Sequence, residues 1–240
     1  MSNNNIHKKI RIAKFIAKSG LCSRRDAERK IFNGNVSVDG KIINSPALNV
    51  STKSIVLVDG NVIKYTNETE IFLYHKPKGL IVSKNDEKNR TTIFDDLPLP
   101  LRGMFSVGRL DKDSSGLLLL TNNGDLSRFL ELPKNKFQRT YQVVVNGKLT
   151  EDQLNKIKKG LRVGDFLYRS IKIYPQKTSK KISVYELLLS EGKNREIRNI
   201  IRYFKLSVLD LFRTNYGPYS IGKLKPSEFI KGDLDLLDFS

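Results

Sequence analysis

Two stretches of alternating residues, each folded about an Asp-Gly pair, constrain the start of this chain more than any other feature. Val36-Ser37-Val38-Asp39-Gly40-Lys41-Ile42-Ile43 and Ile55-Val56-Leu57-Val58-Asp59-Gly60-Asn61-Val62-Ile63 put apolar side chains at every second position around residues that tolerate positive φ. That is the pattern of tight β-hairpins. Ahead of them, Ile10 to Ser19 reads as a short helix stopped by Gly20. Ser23 caps a second helix, Arg24 to Asn33, with Asp26 in its first turn and Gly34 at its end. Phe15 and Phe32 are assigned to the apolar sides of these helices. The predicted unit is helix, helix, hairpin, hairpin, over residues 9–67.

Charge says what such a unit meets. The chain carries 43 Lys and Arg against 25 Asp and Glu, a net +18 at neutral pH. A potential of that sign draws polyanions, because each neutralised phosphate releases counterions, so nucleic acid leads the partner classes. Arg11, Lys14 and Lys18 stand at i, i+3 and i+7, and Arg25 and Arg29 at i and i+4 beside Arg24. Stacked like charges cost roughly 0.2–0.5 kcal/mol per pair, which an external anion relieves; an ordinary solvated face is the alternative. With so few aromatics, this patch suits the backbone and shape of folded RNA better than base stacking.

Several function classes drop out. No apolar run approaches the roughly 20 residues that span a bilayer, and the start lacks a secretion signal, so the expected place is the cytoplasm, with no membrane partner. Cys22 is the one cysteine and His7 and His75 are far apart, which argues against a disulfide framework or a Cys/His zinc site. The P-loop and dinucleotide glycine patterns are missing as well. The expectation is a monomer with no cofactor and no metal.

The run from Ile12 to Ile43, with Gly20-Leu21-Cys22-Ser23-Arg24-Arg25-Asp26-Ala27 and Gly34-Asn35-Val36-Ser37-Val38-Asp39-Gly40, resembles the S-four-type RNA-binding domain. The resemblance implies a small module that presents its helix pair to structured RNA.

After the polar linker Tyr65 to Glu70, a second domain is expected over 70–240. Ile71-Phe72-Leu73-Tyr74 reads as a strand running into the turn Lys76-Pro77-Lys78-Gly79. Met104 to Val107 and Leu117 to Thr121 read as strands flanking the acidic loop Gly108-Arg109-Leu110-Asp111-Lys112-Asp113-Ser114-Ser115-Gly116, and a helix follows from about Asp125. Asp113 is assigned to turn chemistry. Gly108-Arg109-Leu110-Asp111, followed by Ser115-Gly116-Leu117-Leu118-Leu119-Leu120-Thr121-Asn122, strongly resembles the signature of the ribosomal RNA pseudouridine synthases of the RsuA/RluB branch. Asn123 departs from it, standing where that family more often has Asp.

That resemblance implies the site. Asp111 takes the place of the catalytic nucleophile, and Arg109, beside it, that of a residue filling the space of a displaced base or holding phosphate. Tyr141, in the strand Gln138 to Val145, aligns with the active-site tyrosine, whose ring offers a face to uracil and whose phenol offers help with the proton on ring carbon 5. The strand Ile182 to Leu189 runs into Ser190-Glu191-Gly192-Lys193-Asn194-Arg195-Glu196-Ile197-Arg198-Asn199-Ile200, where Arg198 matches the basic residue that pairs with the catalytic Asp. On a helix expected from near Asn194, Arg195, Arg198 and Arg202 stack on one side, and Arg195 and Arg202 are assigned to RNA phosphate. Asn199 stands where the family usually has a second basic residue.

The reaction implied breaks the bond from the anomeric carbon to uracil nitrogen 1, turns the base and joins carbon 5 to the same carbon. Direct attack by Asp111 on that carbon and removal of the 2′ proton to give a glycal both remain open. The partner implied is ribosomal RNA or an assembling subunit, and the Glu-Gly-Lys-Asn-Arg-Glu-Ile-Arg wording leans toward large-subunit RNA. Alternatives are a small-subunit enzyme, an N-glycosidic hydrolase, and an inactive ribosome-assembly factor that keeps only the RNA surface. The predicted fold class is α+β: a small N-terminal domain of a helix pair plus hairpins, then a larger catalytic domain on a mixed, mostly antiparallel sheet with flanking helices. Among these is the helix Leu154 to Lys159, opened by the box Thr150-Glu151-Asp152-Gln153.

Overall fold

The computed structural model describes residues 9–83, 86, 88–98, 101 and 103–239. His7 lies outside them. Contacts divide the chain into two compact units, Met1–Thr69 with Pro100–Phe105, and Glu70–Leu99 with Ser106–Ser240.

The first unit contains β1 (Lys9–Arg11), α1 (Ile12–Lys18), α2 (Arg24–Phe32), β2 (Val36–Val38), β3 (Lys41–Ile42), β4 (Asn49–Ser51), β5 (Val56–Val58) and β6 (Asn61–Ile63). Both hairpins form as read. Asp39 and Gly40 take φ of 48° and 81°, and Asp59 and Gly60 take 50° and 78°, the doubly positive turn that matches the twist of the flanking strands. The two hairpins join through β2 and β5 into the order β3-β2-β5-β6. Ser23 caps α2, its hydroxyl accepting from the Asp26 amide at 3.1 Å. Ile12, Phe15, Ile16, Ala27, Ile31, Val36 and Val56 pack into one core.

Two readings need correction. Lys9–Arg11 is extended, because Ile10 pairs with Val50 on β4, so α1 begins at Ile12 and Arg11 precedes it. Phe32 is 65% exposed rather than apolar-facing. Ala27 and Ile31 form the buried stripe at i and i+4, and Phe32 lies about 100° further round the helix.

The second unit adds β7 (Ile71–Lys76), α3 (Ile93–Asp96), β8 (Phe105–Ser106), β9 (Ser115–Thr121), α4 (Gly124–Glu131), β10 (Arg139–Asn146), α5 (Glu151–Lys159), β11 (Leu161–Val163), β12 (Phe166–Tyr168), β13 (Lys172–Lys177), β14 (Ile182–Leu189), α6 (Glu196–Tyr203), β15 (Val208–Tyr216), β16 (Tyr219–Ser220) and β17 (Phe229–Lys231). Its sheet runs β13-β14-β10-β15-β9-β7-β17, with β16 on β15. Only β9 against β15 is parallel along that path, so the sheet is mixed and mostly antiparallel. The Thr150–Gln153 box caps α5, which begins at Glu151, earlier than read. Asn123 caps α4, accepting from the amides of Asp125 at 3.0 Å and Leu126 at 3.4 Å, so Asn serves there as an Asp would.

Register brings distant residues into one row. Tyr141 on β10 lies opposite Arg213 on β15, Arg213 opposite Gly116 on β9, and Gly116 opposite Lys76 on β7. Tyr, Arg, Gly and Lys thus occupy adjacent places across four strands, at the end of β9 where the acidic loop enters.

Candidate active site

The loop between Gly108 and Ser114 is held by its backbone. The Gly108 amide donates to the Glu131 carboxylate at 2.9 Å, and Ser114 N–H closes a turn on the Asp111 carbonyl at 3.0 Å. Three successive carbonyls then each meet a donor from elsewhere in the unit. Lys112 accepts from the Gly79 amide at 2.8 Å, Asp113 from the Arg198 guanidinium at 3.1 Å, and Ser114 from Lys76 Nζ at 2.9 Å. Lys76 also donates to the Pro77 carbonyl at 2.8 Å. None of these bonds uses the Asp111 carboxylate. That group is left facing Arg195, whose guanidinium lies 3.6 Å away, and its side chain keeps 32% exposure.

The cations around the loop are unusually dry. Lys76 is fully buried and Arg213 is 2% exposed. Burial lowers the Lys76 ammonium to about 8, with Asp111 and Asp113 pulling back the other way. Arg198 is lowered by burial and by the neighbouring Arg195, while Asp111, Asp113 and Asp210 favour its charge. Arg213 donates through Nε to the Leu117 carbonyl at 2.7 Å, and its Nη1 lies 3.5 Å from the Tyr141 hydroxyl. Its guanidinium also sits over the Tyr216 ring, 5.2 Å from the centroid. Buried guanidinium and ammonium groups cost several kcal/mol to desolvate; the loop carbonyls offset this for Lys76 and in part for Arg198, while Arg198 Nε and Arg213 Nη2 are buried without a hydrogen bond.

Arg195 is brought to Asp111 by a local irregularity. Its φ is 49°, a left-handed conformation, so α6 starts at Glu196 and not near Asn194. Glu196 turns back to accept from the Lys193 amide at 3.0 Å, closing the turn that puts Arg195 out of the helix. The three-arginine helical stack is therefore corrected: Arg198 and Arg202 belong to α6, and Arg195 precedes it. The ion pair of Asp111 is with Arg195, whereas Arg198 donates to the loop backbone and has its own charge favoured by Asp111 nearby.

Glu196 is 3% exposed, and burial, followed by the charge of Glu191, raises its carboxyl from 4.5 to about 7. Between those values the folded chain holds a proton the unfolded chain has released, so stability falls as pH rises through that window. Replacing Glu196 by Gln keeps an acceptor for Lys193 and removes the charge. The variant is expected to melt like the parent near pH 5 and at a higher temperature at pH 8. Parallel melting curves across that range would contradict the assignment.

An open cleft of about 900 Å³ gathers Arg109, Asp111, Tyr141, Arg195 and Arg198 along its walls. Arg109 is exposed and Tyr141 half-buried. Arg202 is exposed on α6 and does not line the cleft. In the first unit Arg11, Arg24, Arg25 and Arg29 are exposed and Lys14 and Lys18 partly so. Arg29 pairs with Asp26, and Lys18 sits over the Tyr65 ring. Among the described residues no group of three or more His, Cys, Asp or Glu is placed to hold a metal, and no helix is long and apolar enough to cross a membrane. His75 is buried, its Nδ1 2.8 Å from the Leu224 carbonyl.

Reasoning from sequence misses Lys76 and Arg213. Lys76 reads as part of a turn, and Arg213 carries one visible signal. On β15 it shares strand parity with Leu211, a buried position where Arg needs partners.

Known proteins resemble this chain over most of its length. The family model for RNA pseudouridylate synthase matches residues 70–203, and the S-four domain model matches residues 10–56. An uncharacterized RNA pseudouridine synthase of Rickettsia felis is 44% identical over 221 residues, covering 91% of this chain and 95% of that protein. Ribosomal large subunit pseudouridine synthase B of Bacillus subtilis is 33% identical over 209 residues, covering 86% and 85%. A crystal structure of a pseudouridylate synthase superposes with a TM-score of 0.64 at 25% identity, covering 94% of this chain and 97% of that one. The chain belongs to the RNA pseudouridylate synthase family and is an enzyme of that kind, an isomerase with an S-four domain in its N-terminal part.

Proposed function

We propose that this enzyme converts a uridine of ribosomal RNA, in the large subunit, to pseudouridine, with Asp111 as the nucleophile. The observation that carries the reading is the division of labour in the acidic loop. Its backbone carbonyls are occupied by Gly79, Arg198 and Lys76, while the Asp111 carboxylate stays accessible in a basic cleft. A loop fixed by its backbone positions one reactive oxygen without consuming it. The large-subunit assignment is supported by relatives named for that activity in Bacillus subtilis and Buchnera aphidicola.

The reaction follows from these parts. The target nucleotide leaves its stack, at a cost of a few kcal/mol offset by contacts to Arg109 and the other basic groups. The Asp111 carboxylate, facing Arg195, bonds to the anomeric carbon as the bond to uracil nitrogen 1 breaks. Tyr141 supplies a face on which the freed base turns. Carbon 5 then joins the anomeric carbon as the bond from that carbon to Asp111 breaks and the carboxylate is released; the proton on carbon 5 passes to solvent and nitrogen 1 takes up a proton, so that substrate and product are isomers. No redox group or metal is called on, and the enzyme acts as a cytoplasmic monomer. Residues 9–67, with Arg11, Lys14, Lys18, Arg24, Arg25 and Arg29, hold the RNA, helped by Arg202 on α6. Residues 70–240 do the chemistry on free RNA or an assembling subunit.

The test is incubation of the enzyme with large- and small-subunit RNA transcripts labelled with tritium at uracil carbon 5. Release of tritium to water from the large-subunit transcript, with one mapped pseudouridine, is expected. Release of free uracil would instead indicate hydrolysis, and no change in either transcript would sink the proposal.

A further inference from the structure

Outside the reacting groups, the β11–β12 hairpin carries an aromatic side chain that the fold does not bury. Phe166 is 62% exposed, at the tip beside the turn Gly164-Asp165. Its ring is not loose, because it stacks on Tyr168, two residues along the same strand face, with centroids 6.4 Å apart and planes 26° from parallel. Tyr168 is 2% exposed and fixed in turn: Asn199 of α6 donates to its hydroxyl at 3.1 Å, and Lys193 Nζ lies 5.7 Å from its ring centroid. The result is a rigid aromatic platform with its outer side in water.

Two further observations say what meets that platform. The hairpin is tied to the cleft through Glu191 and Lys193, which both line it. The Arg169 amide donates to the Glu191 carboxylate at 2.9 Å, and Lys193 Nζ donates to the Leu167 carbonyl. Along the hairpin and at its base, Lys158, Lys159, Arg162, Arg169 and Lys172 are all exposed; Asp165 lies at the tip, and Glu191 pairs with Arg169 at 3.5 Å. An exposed aromatic among exposed cations at the rim of an RNA-processing cleft fits an unpaired base with its phosphates, since every base offers a π-face. An acidic peptide would use the cations and leave the ring idle.

Resting on the reading of RNA as substrate, we propose that Phe166 is a stacking platform for an unpaired base flanking the target uridine, with Arg162 on the other face of the ribbon holding an adjoining phosphate. Register supports that division: Arg162 lies opposite Leu167, whereas Phe166 lies opposite Val163.

The experiment uses the full-length enzyme and its substrate transcript. Phe166→Ala is expected to raise Kd and KM by about 5-fold or more, with kcat at saturation unchanged, since stacking is lost and no reacting group is touched. Phe166→Trp should retain parent affinity. The slope of log Kd against log salt should be unchanged in Phe166→Ala and shallower by about 0.7–0.9 in Arg162→Ala, which removes one phosphate contact. Parent-like binding by Phe166→Ala, or a Kd loss that tracks a fall in Tm, overturns the proposal. Self-association abolished by Phe166→Ala with RNA binding intact overturns it too and gives the platform to a second copy. Wild-type enzyme inactive on every RNA sinks the substrate reading instead, so the two failures are distinguishable.

Discussion

Replacing Asp111 by Asn is expected to reduce pseudouridine formation by at least about four orders of magnitude, as loss of a nucleophile does elsewhere. RNA affinity should stay within a few-fold. The amide has nearly the size of the carboxylate, and removing a negative charge from a basic cleft does not weaken attraction for phosphate. The fold should persist as well. The loop is pinned by its carbonyls at Lys112, Asp113 and Ser114, and the pair that the substitution breaks, Asp111 with Arg195 at 3.6 Å, is about a third exposed on both sides. Such a pair contributes roughly 1 kcal/mol at most. Asp113→Asn is the matched control: its carbonyl contact to Arg198 is kept, the charge it loses acts on Lys76 and Arg198 and not on the reacting carbon, and activity should survive. Measuring tritium release, Kd and melting temperature on both variants separates chemistry from binding and folding. Parent activity in Asp111→Asn, or an Asp113→Asn enzyme that is equally dead, would remove Asp111 from its assigned role.

The parts of this molecule that sequence made legible are those decided within a few residues. Asp39-Gly40 and Asp59-Gly60 need only their own backbone freedom to turn a chain, and Ser23 and Thr150 need only an amide three residues away. Lys9–Arg11 escaped because its strand pairing depends on Asn49–Ser51, and local periodicity continued the helix backward through it. Arg195 escaped for a related reason. Arginine is an ordinary helix former, and its left-handed backbone follows from the Glu196 side chain folding back on Lys193. The motif residues Asp111, Tyr141 and Arg198 were legible through resemblance, and all three line one cleft. The cations under the loop were not, because Lys76 and Arg213 stand 137 positions apart and meet only through strand register.

That register makes Gly116 the most sensitive glycine near the site, and Gly116→Ala is expected to destabilise the second unit by at least about 3 kcal/mol. Its φ of 108° is one that side-chain-bearing residues rarely adopt. An added Cβ would also lie 2.3 Å from the Arg213 carbonyl oxygen and 2.6 Å from its amide nitrogen, both backbone atoms that no side-chain rotation can move aside. Relief requires β9 and β15 to separate where they run parallel, which would draw Arg213 from Leu117 and tilt the loop that carries Asp111. Melting temperature should fall by roughly 6 °C or more for a chain of this size, and activity should fall with it even at temperatures where the enzyme stays folded. Gly124→Ala gives the contrast. A Cβ there meets nothing within 4 Å, at the first position of α4, and the change should be neutral or stabilise by about 0.5–1 kcal/mol. If the two variants melt alike, strands β9 and β15 do not approach as closely as described, and the row of Lys76, Gly116, Arg213 and Tyr141 loses its claim to position the nucleophile.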